Sequence, residues 1–242
     1  MYIHEVESIL KKAAPTKVTK KHFDPQKYMG TQFQMLGIAA PRQREIFKTG
    51  FSFSQVNLAD QLYIWDDIWK NAQLFEVLNQ ALFFAEKNVN KINGRELMAV
   101  LETWLEKVDN WGHSDLLSAI FTKILIKDPD LVFPKLKAWN QAPRPWYNRQ
   151  SIVPLAMYYR SNALVPFTKS IMFIKNLLTH EDYFVQKGVG WSLREIGTKY
   201  PQETWDFLNK NIHQISSTAF SATIEKLTPT EKEKLKTMRR KK

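Results

Sequence analysis

The chain has 242 residues, 44% hydrophobic and 24% charged, with eight glycines and no cysteine. That composition belongs to a folded globular protein with a substantial core, and it excludes disulfides, thiolate catalysis and cysteine-ligated metals. The formal charge of +11 points to a polyanionic partner.

Much of that charge sits at the ends. Residues 230–242 carry seven Lys or Arg against two Glu, and residues 1–27 carry six Lys against three acids. A basic tail of this kind reads first as a solvated segment in loose contact with nucleic acid. The absence of cysteine suits a reducing cytosol. The stretch from Met1 to Glu7 reads as no secretory leader, and no apolar run approaches the roughly 18 residues of a membrane span.

Helical spacing runs through almost the whole chain. Ile3, Val6, Ile9 and Leu10 predict a first helix stopped by Pro15. A Lys-rich connector follows. Asp24-Pro25 then predicts a cap and first turn for a short helix carrying Tyr28 and Met29. Leu36 to Pro41 reads as a turn that starts the helix of Arg42, Arg44, Ile46 and Phe47. Leu58, Leu62, Trp65 and Trp69 share one face. Leu74, Leu78, Ala81, Leu82 and Ala85 share another, and Leu97, Val100, Leu101, Trp104 and Leu105 a third. The next helix is expected to begin inside Val108-Asp109-Asn110-Trp111-Gly112-His113-Ser114-Asp115, which places the Trp111 ring and the Asp115 carboxylate one turn apart on one face.

In the second half, Asp128-Pro129 and Tyr200-Pro201 each open a short helix bearing a tryptophan, Trp139 and Trp205. Helix pairs recurring every 35 to 45 residues predict an all-α solenoid of stacked HEAT-like pairs, with a concave basic groove. It is expected to form a single domain over residues 1–229, followed by a basic tail over 230–242 that frays.

Three helices combine a core row with a polar side. In the helix from Trp111, Leu117, Ile120, Phe121 and Ile124 face inward, and Trp111, Asp115, Ser118 and Thr122 face away. The helix near Pro145 has a core row of Ile152, Leu155, Ala156 and Tyr159, with Trp146, Arg149, Val153 and Arg160 to one side and a kink expected at Pro154. In the helix from Tyr183, Val185, Val189, Leu193 and Ile196 oppose Lys187, Trp191, Arg194 and Thr198. Taken singly, Asp115 reads as a surface charge near a helix start, and Arg149 as a solvated or salt-bridging arginine. Together the three polar faces predict a binding groove with one acid among bases. Gly188 and Gly190 weaken the third helix and mark a close approach, either by a neighbouring helix or by a phosphate.

The stretches from Tyr28-Met29 through Phe33 to Arg44, Asn110 to Asp115, Trp146 to Arg149 and Val185 to Glu195 resemble, in the same order, those of the AlkD-type DNA alkylation-repair glycosylases. The resemblance implies HEAT-like repeats and excision of cationic purines such as 7-methylguanine and 3-methyladenine from duplex DNA, without metal or cofactor and without a deep base-flipping pocket. By match of position, Trp111 and Trp191 would be aromatic walls, Asp115 the catalytic carboxylate and Arg149 the arginine on the DNA backbone. Lys187 and Arg194 would take phosphates, and Tyr28 and Arg44, from the first matching stretch, would also contact DNA. A monomer in the bacterial cytoplasm, associated with the nucleoid, is expected. His113 reads as a turn histidine bonded to backbone and, second, as a base. Two other readings remain: a non-catalytic binder of branched or distorted DNA from the same family, and a helical-repeat scaffold for an acidic protein partner.

Overall fold

The computed structural model describes residues 2–15, 24–160 and 165–240, and of residues 158–160 the backbone only. The Lys-rich connector (16–23), the side chains of Tyr159 and Arg160, and Lys241 and Lys242 lie outside the described residues. The fold is all-α, as the spacing predicts. In order, α1 is Tyr2–Ala13, α2 Pro25–Met29, α3 Ala40–Thr49, α4 Leu58–Asn71, α5 Phe75–Asn88, α6 Gly94–Lys107 and α7 Trp111–Lys127. Then follow α8 Pro129–Asn140, α9 Pro145–Arg160, α10 Phe167–Lys175, α11 Tyr183–Gly197, α12 Pro201–Asn211, α13 Ser217–Thr223 and α14 Pro229–Arg240. The starts of α5, α7, α9, α11 and α13 are separated by 34 to 38 residues, the repeat length expected of stacked helix pairs. No helix among the described residues is long and apolar enough to cross a membrane.

The chain divides into two compact units, Met1–Lys123 and Ile124–Lys242. The first is centred on α4, α5 and α6. Trp69 and Trp104 stack with ring centroids 4.8 Å apart, and the Trp104 indole donates to Asp66 at 3.0 Å. The Lys107 ammonium closes the end of α4 by donating to the carbonyls of Trp69, Lys70 and Ala72 at 2.7, 3.0 and 2.6 Å. Burial lowers its pKa from the usual lysine value. Glu76, completely buried in the first turn of α5, accepts from the backbone N–H groups of Leu36, Gly37 and Ile38 at 3.0, 2.9 and 3.3 Å. The turn placed at Leu36–Pro41 is thus wound around an internal carboxylate. Gly37 takes the left-handed conformation it needs there, with φ +76°.

In the second unit α9 is central, packed by α8, α10 and α11. Every residue from Asn148 to Ala156 is buried, which corrects the expected polar side of this helix: Arg149 is 6% exposed and Val153 is not exposed at all. A helical stretch buried on all sides, as 148–156 is, leaves no amphipathic signal to read. It runs through Pro154 to Arg160 as one helix.

The α11 glycines serve close packing. A Cβ on Gly188 would lie 3.1 Å from Arg149 Nη1 and 3.4 Å from Val153 Cγ2, while one on Gly190 would collide with the Ala219 carbonyl of α13. Each of these helix pairs is closed by an amide from the start of its second helix. Asn148 donates to the carbonyls of Trp139, Asn140 and Ala142 at 3.1, 3.3 and 2.9 Å. Gln186 donates to those of Leu177 and His180 at 2.8 and 2.7 Å.

The expected fraying of the tail is also corrected. The tail folds into α14, whose Leu235 is fully buried. Arg239 donates to the Ile212 and Ile215 carbonyls at 3.1 and 2.6 Å and lies over the Phe220 ring at 4.8 Å. Charge hides this docking in the sequence, because one leucine and an arginine used as an internal donor do most of the anchoring.

Candidate functional site

The octet begins α7 at Trp111, and Asn110 is its cap. The Asn110 side-chain oxygen accepts the His113 N–H at 2.8 Å, satisfying one of the donors a helix start leaves open. The Asn110 amide nitrogen then lies 2.8 Å from His113 Nδ1. Since an amide nitrogen only donates, Nδ1 accepts, and the ring proton sits on Nε2, which donates to the Phe75 carbonyl at 3.2 Å. The ring also stacks on Phe75 with centroids 4.2 Å apart and is completely buried. Burial pushes the His113 pKa down to about 4, more than the Phe75 bond and the Asp109 charge raise it. His113 is therefore a neutral structural residue near pH 7.

Asp109 faces the other way. One carboxylate oxygen accepts from the Thr31 hydroxyl at 2.7 Å and the Asn110 amide at 2.8 Å; the other accepts the Gln32 N–H at 2.7 Å. The loop after α2 is thereby tied to the start of α7. Trp111 is partly exposed, and its indole N–H donates to the Tyr28 carbonyl at 3.1 Å. The Tyr28 ring, 60% exposed, meets the Trp111 ring edge to face at 5.6 Å. The Met29 methyl packs on Gly112, in the space a Cβ there would take.

Asp115, one turn on, is partly exposed. Ser118 and Thr122, expected on the same outward side, are buried instead. Their hydroxyls donate to the carbonyls of Ser114 and Ser118 at 2.9 and 2.7 Å, and bonds of this kind let small hydroxyl side chains enter a core. In the same unit Arg44 is ion-paired to Glu86 at 2.9 Å and lies over the Phe83 ring at 4.3 Å.

In the second unit Asp182 caps α11, accepting from Phe184 and Val185 N–H at 2.8 and 3.0 Å. Lys187 and Thr198 are exposed and Trp191 and Arg194 partly so, while Val185, Val189, Leu193 and Ile196 are buried. This helix keeps the two faces read from its spacing. Arg149 donates from Nη1 to the Phe184 carbonyl at 2.8 Å, and Phe184 stacks on Trp146 with centroids 5.2 Å apart. Arg194 pairs with Glu195 at 3.1 Å and with Glu225, and Lys226 reaches Glu195 at 3.0 Å. Two of the predicted phosphate-binding cations thus also brace the protein itself.

Sequence reasoning missed Asn110 as a cap and Asp109 and Glu76 as loop anchors. The first had a readable signal, an asparagine just before an apolar-periodic run. The other two bind backbone N–H groups distant in sequence and leave no local pattern.

The family profile described as DNA alkylation repair enzyme matches residues 12–227. Among solved structures, the chain is similar to a predicted DNA alkylation repair enzyme from Enterococcus faecalis. The identity is 19% and the TM-score 0.70, with 84% of this chain and 93% of that one covered. It is also similar to smu.31 from Streptococcus mutans, at 17% identity and a TM-score of 0.53, with 83% and 91% covered. At these identities the likeness is one of fold. No curated protein matches the chain. The profile spans nearly the whole chain and takes in the α2–α7 junction together with α9 and α11, and by that match the chain belongs to the DNA alkylation repair enzyme family.

Proposed function

We propose that the protein is a DNA glycosylase that removes cationic alkylated purines, of the 7-methylguanine and 3-methyladenine type, from duplex DNA by hydrolysis of the N-glycosidic bond. The observation that carries this reading is the start of α7, where a partly exposed Trp111 is held by Tyr28 and followed one turn later by a partly exposed Asp115, within a chain of the alkylation repair family.

A cationic alkylpurine is already a good leaving group. The step that needs help is the growth of positive charge on the deoxyribose as C1′–N breaks, as in glycoside hydrolysis. Asp115 is assigned to stabilise that charge and to orient the attacking water. A carboxylate about 4 Å away, at an effective dielectric of about 20, contributes roughly 4 kcal/mol, or about a thousandfold in rate.

Trp111 and Trp191 are assigned as aromatic faces toward the cation, worth roughly 0.5 to 2 kcal/mol each. Lys187, exposed on α11, is assigned to phosphate, as are Arg149 and Arg194, and Tyr28 and Arg44 to DNA contact. His113, buried and neutral, is left out of the chemistry.

Incubation of duplex DNA containing 7-methylguanine with wild type and Asp115→Asn tests the proposal. Wild type releases the base and the variant is slower by about a thousandfold. Equal release by both removes Asp115 from the mechanism, and no release by wild type, with retained binding to branched or bulged DNA, turns the protein into a DNA-structure binder.

A further inference from the structure

We infer that Asp109 is the positioning residue of the candidate site, fixing α2 and the loop after it on the start of α7 and thereby setting the Tyr28–Trp111 ring pair. The inference rests on the assignment of Trp111 to the site.

The five-residue helix α2 has no buried residue of its own, and a helix of one turn does not hold itself together in water. Its placement has to come from contacts at its end. Gln26 donates to the Phe33 carbonyl at 2.9 Å, the Tyr28 carbonyl accepts the Trp111 indole N–H at 3.1 Å, and the Met29 methyl lies where Gly112 lacks a Cβ. Thr31 Oγ1 and Gln32 N–H both donate to Asp109 at 2.7 Å, and bonds to a carboxylate are strong ones.

The third bond to Asp109, from Asn110, orients the amide whose oxygen caps α7 at His113. One side chain therefore fixes the loop that follows the helix of Tyr28 and the helix start that carries Trp111. Its carboxylate has acceptors for all three donors. An asparagine in its place turns an NH2 toward at least one of them.

The test uses the full chain labelled with 15N and reads the indole N–H signals of its eight tryptophans, with Trp111 assigned through Trp111→Phe. In Asp109→Asn the Trp111 signal moves and exchanges faster with solvent, while the other indoles stay in place. Release of 7-methylguanine falls by about tenfold, the size expected from losing a bond to a charged acceptor. Thr31→Val, which also takes the hydroxyl acceptor from the Phe33 N–H, moves the signal in the same direction. An unmoved Trp111 signal in Asp109→Asn overturns the inference. Should Asp109→Asn fail to fold, Thr31→Val, which leaves the carboxylate in place, decides by the same signal. If Asp115→Asn slows release and Asp109→Asn does not, positioning fails while the glycosylase reading stands. If wild type itself releases no base, that reading fails, and the indole signal still decides the role of Asp109.

Discussion

The starts of α7 and α11 solve the same problem in opposite ways. Both helices present a partly exposed tryptophan and both are capped by an acid or its amide, Asn110 and Asp182. Around α7 the neighbours are held by hydrogen bonds between polar groups: Asp109 on the loop, His113 on Phe75, and Trp111 on Tyr28. Around α11 hydrogen bonds also tie the neighbours, from Arg149 to the Phe184 carbonyl and from Ser216 to Gln186, but two of them approach only because side chains are absent, Arg149 against Gly188 and α13 against Gly190. A polar junction depends on protonation and on the exact partner. A glycine junction depends only on volume.

Substitutions that add volume should therefore act mainly on α11, and changes of charge mainly on α7. The largest effect is expected from Gly190→Ala. Its new methyl meets backbone, which cannot move aside, so a loss of about 3 kcal/mol in urea denaturation is expected; a loss below that of an ordinary surface substitution would break the steric account.

Acid should act next, on α7. The folded-state pKa of His113, about 4, lies below its ordinary 6.5, so between those values the unfolded chain binds more protons. The contribution of the neutral ring is complete above pH 6.5 and is lost as pH falls toward 4, by about 2 kcal/mol at pH 5. Measured as stability against pH, this part of the loss should be missing from His113→Asn, which has no proton to gain.

Gly188→Ala sharpens the steric side. Its methyl meets the end of an arginine at 3.1 Å rather than backbone, and the gain in helix propensity opposes the strain, so a change of no more than about 1 kcal/mol is expected. The smallest effect on folding belongs to Lys187→Gln. It should leave the denaturation midpoint alone and lower the slope of log affinity for DNA against log salt by about one.

The same contrast explains what was legible in the sequence. Helices opened by Asp24-Pro25, Asp128-Pro129 and Tyr200-Pro201 begin where those pairs place them, since capping is local chemistry. The two faces of α11 were readable because one of them meets water. In α9 every residue from Asn148 to Ala156 is buried, so helical spacing, which puts Arg149 and Val153 to one side of the core row, does not separate them from it. Ser118 and Thr122 were misplaced for a related reason, since a hydroxyl bonded to its own helix is polar in composition only. Glu76 and Asp109 bind backbone some 40 and 77 residues away in the chain, and no window of neighbouring residues contains that information. Of the candidate site, the Trp111–Asp115 spacing was visible, whereas the loop that holds Trp111 was not.

The amides that close the helix pairs have a kinetic meaning. Asn148 reaches back six to nine residues, and Gln186 the same distance. Loops this short close in roughly 10–100 ns and with little loss of chain entropy. Each clasp spans a segment short enough to close on its own, so these two hairpins carry a native contact that needs no stacking partner.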